Sequence, residues 1–237
     1  MCQIMVNMLN NLIEKVFFAY EHYRFDDVYR LISNYITNNL SAFFLDYTKD
    51  ILYVEAADAV ARRSVQTVLY DHLLILLRLL TPIIPHTTEE VYKHIKNKKE
   101  KSIYLLKMPA VMKFANSNDL SEKYKIFQQL RRDVLKALET AWANKVIGRS
   151  LMAKVTINPT EPIRKLLNGF NDRLEKLFIV SEFVVTGEET AGEAYESGTI
   201  NVAARMGDVC GRCRRVVDKV DNDNLCKECA TILNKMR

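Results

Sequence analysis

The sequence lacks the features that mark secreted, disordered and membrane-spanning chains. It has seven glycines and five prolines among 237 residues, a low content that suits a helix-rich protein. Hydrophobic residues make up 49% of the chain, which excludes a disordered tail. No apolar run approaches the ~18–20 residues that a membrane-spanning helix needs. The first residues carry no basic stretch and are interrupted by asparagines, so we expect no secretory signal and a cytoplasmic location.

Motifs of known catalytic chemistry are missing as well. The sequence contains no Walker A loop, no G-x-G-x-x-G, no G-x-S-x-G and no H-E-x-x-H. The histidines fall on predicted helices or their junctions, where a single histidine is more often packed than catalytic: His22, His72, His86 and His94. We therefore predict no catalytic site within this chain.

The first part of the chain is predicted to form an antiparallel bundle of four amphipathic helices. One helix starts at the N-terminus, and others start near Asp26, near Asp58 and just before Thr87. Thr87 and Glu90 have the spacing of a capping box for the fourth helix. A lysine-rich, aperiodic connection over 96–119 follows.

A fifth helix and a small α/β unit are predicted next. Helical spacing runs from Ser121 to about Lys145 and includes Trp142, for which core packing is favoured over stacking on a base. After Gly148 the pattern becomes that of strands, with a short helix over 159–167 and an acidic exposed turn over 187–198. The strands are predicted over 151–157, 177–185 and 199–205. The expected domains are a helical domain over 1–119, a helix with an α/β unit over 120–206, and a metal-binding module over 207–237.

Four of the five cysteines form two C-x-x-C pairs within CGRCRRVVDKVDNDNLCKEC, residues 210–229. Disulfides need an oxidising compartment, to which nothing in the sequence points. Two C-x-x-C turns joined by a short loop supply the ligands of a tetrahedral zinc site, and Gly211 permits the first turn. Four thiolates leave no position for water, so the zinc of this C-terminal ribbon is predicted to be structural. The predicted ligands are Cys210, Cys213, Cys226 and Cys229.

Positive charge is concentrated in the middle of the chain. The net charge is +5, and a basic middle over 59–165 lies between acidic flanks over 1–58 and 166–207. This distribution is typical of proteins that bind a polyanion such as nucleic acid. Basic side chains also surround the first cysteine pair, where phosphate contacts compete with an ordinary solvated surface.

Four parts of the sequence resemble one protein family. YRFDDVYRLISNYITNNLSAFFLDYTKDILYVE and ARRSVQTVLYDHLLILLRLLTPIIPHTTEEVY resemble the anticodon-binding helical domain of bacterial-type isoleucyl-tRNA synthetases. NKVIGRSLMAKV resembles the helix-to-strand junction of that family, and the paired C-x-x-C motifs resemble its C-terminal zinc module. The resemblance covers essentially the whole chain in the family's order. The HIGH-type and KMSKS-type catalytic segments and the editing insertion are missing, so the chain is similar to the C-terminal part of the family only.

The resemblance implies a tRNA-binding region with no catalytic activity of its own. The parent enzyme would charge isoleucine tRNA with ATP, which would bind only in a catalytic domain absent from this chain. The expected partner is isoleucine tRNA, with no membrane and no DNA, and we expect a monomer. The candidate tRNA contacts are Arg62, Arg63, Arg131, Arg132, Lys136, Lys145, Arg149, Arg212, Arg214 and Arg215. For Arg62 and Arg63, salt bridges on the helix surface are the alternative.

One departure from the family concerns the zinc module. Arg214 stands where the family usually has an aromatic residue directly after the second cysteine, so this chain offers a guanidinium in place of that ring. Two other functions stay open at this point. One is a free-standing RNA-binding zinc-ribbon module without synthetase activity. The other is a zinc ribbon that docks other proteins. Binding to tRNA that does not weaken as the salt concentration rises would favour this second function.

Overall fold

The computed structural model describes residues 1–112, 115–170, 173–189 and 191–236, and 58% of it is helical. Lys113 and Phe114 of the predicted connection and Thr190 of the predicted turn lie outside the described residues. A helical first part, a small mixed sheet and four clustered cysteines confirm the predicted fold class. Backbone contacts divide the chain into two compact units, one of Cys2–Asp46 and Val60–Leu120, the other of Met1, Tyr47–Ala59 and Ser121–Arg237. The division into three domains stays a prediction.

The helices and strands follow one another with short connections. The helices are α1 (Cys2–Glu21), α2 (Phe25–Asn34), a π-helix (Tyr35–Phe44), α3 (Leu45–Val54), α4 (Val60–Leu80), α5 (Pro85–Lys93), α6 (Ser117–Ala143), α7 (Glu161–Asn168), α8 (Leu174–Leu177) and α9 (Lys227–Met236), with 3₁₀ turns at Ile103–Leu105 and Ser150–Met152. The strands are β1 (Ala153–Pro159), β2 (Glu182–Val185), β3 (Glu193–Tyr195), β4 (Gly198–Ala204), β5 (Asp208–Val209) and β6 (Val216–Val217). Among the described helices, none has the length and apolar character that a bilayer crossing requires.

In the first unit, α1 packs against α2 and α4. Met5, Leu9 and Val16 of α1 are buried on the side that the apolar spacing predicts. Asn10, which interrupts the apolar pattern, is buried too. Its Nδ2 donates to the carbonyl of Met112 at 2.6 Å, and its Oδ1 accepts from the N–H of Met112 at 2.9 Å. The polar side chain therefore fastens the connection after α5 to α1, since buried amides need such partners.

His72 of α4 is buried and fully hydrogen-bonded. Its Nδ1 lies 2.6 Å from the carbonyl oxygen of Val68, so this nitrogen carries the proton and donates it. Its Nε2 lies 2.8 Å from the hydroxyl of Tyr35, from which it accepts. Burial lowers the pKa of His72, which keeps the ring neutral. A packed histidine is what the sequence pattern predicts at this position.

The second unit contains a four-stranded sheet in the order β2-β1-β4-β3. β1 runs parallel to β2 and antiparallel to β4. Alternate residues of β1 are buried, among them Val155 and Ile157. Asp133 of α6 is buried and accepts from the N–H of Ser197 at 2.9 Å and from its hydroxyl at 2.5 Å. This pair of hydrogen bonds fixes the turn before β4 to α6.

Some predicted boundaries were wrong for local reasons. α5 begins at Pro85, whose fixed φ and missing N–H suit a first helical position, so the predicted capping box of Thr87 and Glu90 does not form. Glu90 pairs with Lys93 at 3.0 Å instead. The strand predicted over 177–185 is reduced to β2, because α8 takes its first residue and a turn follows in which Ile179 has a left-handed backbone, at φ 55°. The exposed turn predicted over 187–198 contains β3, which pairs with β4.

Candidate metal centre and basic surfaces

Two backbone turns bring the four cysteines together. The first pair lies between β5 and β6. There the N–H of Cys210 donates to the backbone carbonyl of Arg215 at 3.0 Å, and the N–H of Arg214 donates to the backbone carbonyl of Cys210 at 2.9 Å. Gly211 was expected to permit this turn, but the residue with left-handed backbone is Arg214, at φ 65°. The second pair lies at the start of α9, and the N–H of Cys226 donates to Cys210 Sγ at 3.2 Å. Hydrogen bonds from backbone N–H groups thus hold the two C-x-x-C turns, called the knuckles below, against each other.

The four sulfur atoms have the spacing of a tetrahedral metal site. They all lie within 4.8 Å of one another, and the Sγ atoms of Cys213 and Cys226 are 3.9 Å apart. Metal–sulfur bonds of about 2.3 Å at tetrahedral angles place the sulfurs roughly 3.8 Å apart, whereas a disulfide needs about 2.05 Å. All four thiols are buried and free. The cluster can therefore hold a metal ion, with four ligands that leave no position for water.

The electrostatics of the thiols favour a cation between them. Burial opposes ionisation of Cys210, but hydrogen bonds from the backbone N–H groups of Cys226, Cys213 and Arg212 lower its pKa to about 6. Burial and the neighbouring sulfurs raise the pKa of Cys229. Several thiolates at this distance repel one another unless a cation neutralises them. A soft divalent metal supplies that charge, and binding it releases the remaining thiol protons.

The apolar surroundings of the cysteines extend to the end of α3. Val54 is 5% exposed and packs in the same cluster as the four cysteines. Val217, Val220 and Leu225 pack against this cluster from within the module. The sequence-based module over 207–237 does not include Val54, because no local pattern links a valine at a helix end to cysteines so far along the chain.

A network of ion pairs fixes the first turn of α9. Glu228 accepts from Arg173 at 2.6 Å, from Arg215 at 3.0 Å and from Lys176 at 3.2 Å. Lys176 also pairs with Glu55 just after α3, and its side chain is 8% exposed. Burial would raise the pKa of Glu228, but the hydrogen bond from Arg173 and the charges of Lys176, Arg173 and Arg215 lower it to about 2. The ionised carboxylate therefore connects the cysteine module to α8 and to the end of α3.

The three arginines around the first cysteine pair differ in environment. Arg215 is 5% exposed and pairs with Glu228 and with Glu175, so its side chain already has partners within the chain. Arg214 is exposed on the turn. Arg212 is half-buried, and its buried Nη1 has no hydrogen-bond partner among the described residues. Arg212 and Arg214 are the more accessible candidates on this turn, and a contact from Arg215 stays a prediction.

The basic residues predicted on and after α6 lie at the surface. Arg132 and Lys136 are exposed, and Arg131 is half-buried. Lys145 and Arg149 are exposed in the segment that follows the helix. Lys145 has a left-handed backbone, at φ 59°, which is common where a helix ends. Cationic side chains therefore continue from the exposed side of α6 past its C-terminal end.

The other two candidate arginines belong to the first unit. Arg62 and Arg63 lie in the first turn of α4, where Arg63 is exposed and Arg62 is half-buried. Their role as tRNA contacts stays a prediction.

The prediction that Trp142 packs in the core was wrong, since its side chain is 64% exposed. The buried side of α6 runs through Leu130, Val134 and Leu138 and continues at Ala141. A step of four residues turns a helix about 40° beyond a full turn, so three such steps from Leu130 to Trp142 add up to about 120°. That drift takes position 142 off the buried side.

Comparison with known proteins identifies the family. Residues 2–157 match the model of the anticodon-binding domain of tRNA ligase. The chain belongs to this anticodon-binding family. The match runs from α1 to β1, so the cysteine module lies outside it.

Curated relatives align with nearly the whole chain, including the part beyond the anticodon-binding match. The chain is 45% identical to the isoleucine–tRNA ligase of Bacillus cytotoxicus, 44% to that of Bacillus mycoides and 41% to that of Bacillus licheniformis. Each alignment covers 98% of this chain and 26% of the relative, in its C-terminal part. The chain thus spans about a quarter of the length of the curated relatives it matches, and it includes the cysteine module in that span.

The structure of this anticodon-binding chain adds residues that sequence reasoning missed. Glu55, Arg173, Lys176 and Glu228 form the ion-pair network beside the cysteines, and none of them was singled out. Glu228 lies between two predicted ligands, Cys226 and Cys229, so its position was a usable signal. Its partners lie far away in the sequence, and only the fold brings them together.

Proposed function

We propose that the chain is the tRNA-binding C-terminal region of an isoleucine–tRNA ligase. It would hold isoleucine tRNA, while a catalytic domain outside this sequence uses ATP to attach isoleucine. The observation that carries this proposal is the alignment of 98% of the chain at up to 45% identity with curated isoleucine–tRNA ligases. The proposed region works in the cytoplasm as a monomer.

The exposed cations support a role in tRNA binding. Arg132, Lys136, Lys145 and Arg149 lie on one side of the second unit's main helix or just beyond it, and Arg63 is exposed in the first unit. Phosphate contacts made by such side chains fix the register of an RNA, whereas contacts to unpaired bases carry sequence information. Arg212 and Arg214 extend the proposed contacts to the cysteine module.

The proposed metal is a structural Zn²⁺ held by the four cysteines. Four buried sulfurs at tetrahedral spacing and no open position suit zinc that stabilises a fold rather than zinc that activates water. Zinc bound there would fix the two knuckles and thereby the arginines on them. Metal analysis of the purified protein should find one zinc per chain, and replacing Cys226 with Ser should abolish it.

A binding titration tests the proposed function. The whole chain, loaded with zinc or treated with a chelator, is titrated against isoleucine tRNA and valine tRNA at two salt concentrations. We expect salt-sensitive binding that prefers isoleucine tRNA and weakens on chelation. Each phosphate contact contributes about 0.7–0.9 to the slope of log K against log salt, so Lys136→Ala should lower that slope by roughly one contact.

A matched lysine serves as the control in this titration. Lys165 is exposed on α7 and pairs with Glu161 at 3.7 Å, and it is not among the proposed contacts. Lys165→Ala should leave the affinity and the salt slope unchanged. If tRNA binds without salt dependence, or does not bind at all, the proposal fails and the docking of another protein becomes the better reading.

A further inference from the structure

Trp142 is a large aromatic side chain that the fold leaves in solvent. It is the chain's single tryptophan and the second-last residue of α6, with 64% of its surface exposed. In the part of the chain that the structure describes, its indole has neither a ring contact nor a hydrogen bond. A buried tryptophan removes roughly 150–250 Å² from water, so leaving one outside gives up a large stabilisation. Tryptophan is enriched at interfaces, where its ring packs against a partner and its N–H stays near water.

The residues around Trp142 indicate which ligand the surface suits. Arg131 and Leu135 precede it by eleven and seven residues, so all three lie along one line of the helix. Leu135 is 38% exposed. Arg132 and Lys136 are exposed beside this line. The surface therefore combines a ring, one exposed leucine and flanking cations.

The acidic residue on this side of α6 does not cancel these cations. Glu139 is exposed between Lys136 and Trp142. Arg132, Lys136 and the half-buried Arg131 outnumber it, and Lys145 and Arg149 continue the positive charge beyond the helix. A polyanion with exposed rings matches this charge, whereas a protein partner would need a surface that is both apolar and acidic.

We propose that Trp142 stacks on an unpaired base of the bound tRNA while the neighbouring cations contact its phosphates. The inference rests on the proposed function, because it takes tRNA as the partner. Stacking on an aromatic ring tolerates any base, since every base has a π-face, and it requires the base to be out of a duplex. Trp142 is thus assigned to single-stranded segments of the RNA, and Arg132 and Lys136 to the backbone beside them.

Intrinsic fluorescence tests this directly, because the chain has one tryptophan and its emission reports on Trp142 alone. The whole chain is titrated with an isoleucine tRNA transcript, with a fully paired RNA duplex of the same length, and with polyphosphate. Binding is followed in parallel by the anisotropy of labelled RNA. We expect the tRNA to quench the emission and to protect it from acrylamide. The duplex and polyphosphate should bind through charge and leave the emission nearly unchanged.

Substitutions separate stacking from charge. Trp142→Leu keeps an apolar side chain without a ring face and should weaken tRNA binding by about 5- to 150-fold with no change in the salt slope. Trp142→Phe should recover part of that loss. Tyr53→Leu is the matched control, since Tyr53 is 78% exposed in the same unit and is not a proposed contact, and it should bind as the unchanged chain does.

The two proposals fail in different ways. If tRNA binds with the expected salt slope but the emission stays constant and Trp142→Leu binds normally, the stacking inference is wrong and the proposed function stands. If tRNA does not bind at all, both are wrong. Equal quenching by the duplex and the tRNA would also overturn stacking, because a paired base cannot present its face to the ring.

Discussion

The ion-pair network around Glu228 is predicted to stabilise the cysteine module by an amount that can be worked out from its burial. The substitution Glu228→Gln keeps the shape of the side chain and removes its charge, so Arg173, Lys176 and Arg215 lose their shared partner. Removing one member of a fully buried pair costs about 3–5 kcal/mol, because the remaining charge is left unpaired. The Glu228 side chain is 29% exposed, and Glu55 still pairs with Lys176, so water and this second partner reduce the loss. We expect Glu228→Gln to lower the free energy of unfolding by about 2 kcal/mol.

Urea denaturation of the metal-loaded protein, followed by circular dichroism, measures this change. Glu161→Gln is the control, since Glu161 is 68% exposed and pairs with Lys165 across one helical turn at 3.7 Å. Such a surface pair contributes at most about 0.5 kcal/mol. A double-mutant cycle of Glu228→Gln with Lys176→Met should give a coupling of about 1 kcal/mol, because the two groups are in contact. A loss for Glu228→Gln no larger than that for Glu161→Gln would refute the reasoning.

Three further outcomes are expected elsewhere in the chain. Burial lowers the pKa of His72, so the folded state binds fewer protons there than the unfolded state. The free energy of unfolding should therefore be highest above pH ~6.5 and fall as the pH drops below it. His72→Gln should flatten that part of a plot of the urea midpoint against pH. Asp133→Asn should cost about 2 kcal/mol in thermal unfolding, because an uncharged amide oxygen accepts the two Ser197 hydrogen bonds more weakly than the carboxylate does and the new amide nitrogen faces the Nε2 donor of Gln129; a shift within error would contradict this. Chelation of the metal should speed amide hydrogen exchange at Val54 as well as at the cysteines, and unchanged exchange at Val54 would show that its contact does not depend on metal.

The helical first part could be predicted from the sequence because its apolar residues recur at the helical period. Met5, Leu9 and Val16 are buried where that spacing places them. In α4 the packed His72 was predicted as well, but its neighbour Leu73 is 40% exposed although it is apolar. A histidine whose two nitrogens both find partners satisfies the core as well as a leucine does. The Val68 carbonyl is local to α4, and only the Tyr35 hydroxyl comes from the fold.

The candidate site divides in a similar way. The spacing of the cysteine pairs predicted a four-sulfur cluster, since each C-x-x-C turn brings two thiols together within a few residues. The availability of the arginines could not be read from spacing. Arg214 and Arg215 are neighbours in the sequence, but one is exposed and the other is buried against Glu228.

The sequence by itself determined the family resemblance, the helical character of the first part and the four-cysteine cluster, because these depend on patterns within a few turns of chain. Only the tertiary structure decided that Val54 and Glu55 meet the cysteine module, that Arg215 is buried, and that Trp142 is exposed. Contacts between distant segments depend on how the helices and strands pack. Because each step of four residues rotates a helix position by about 40°, the exposure of the last turn of α6 is fixed only when the elements around it are in place.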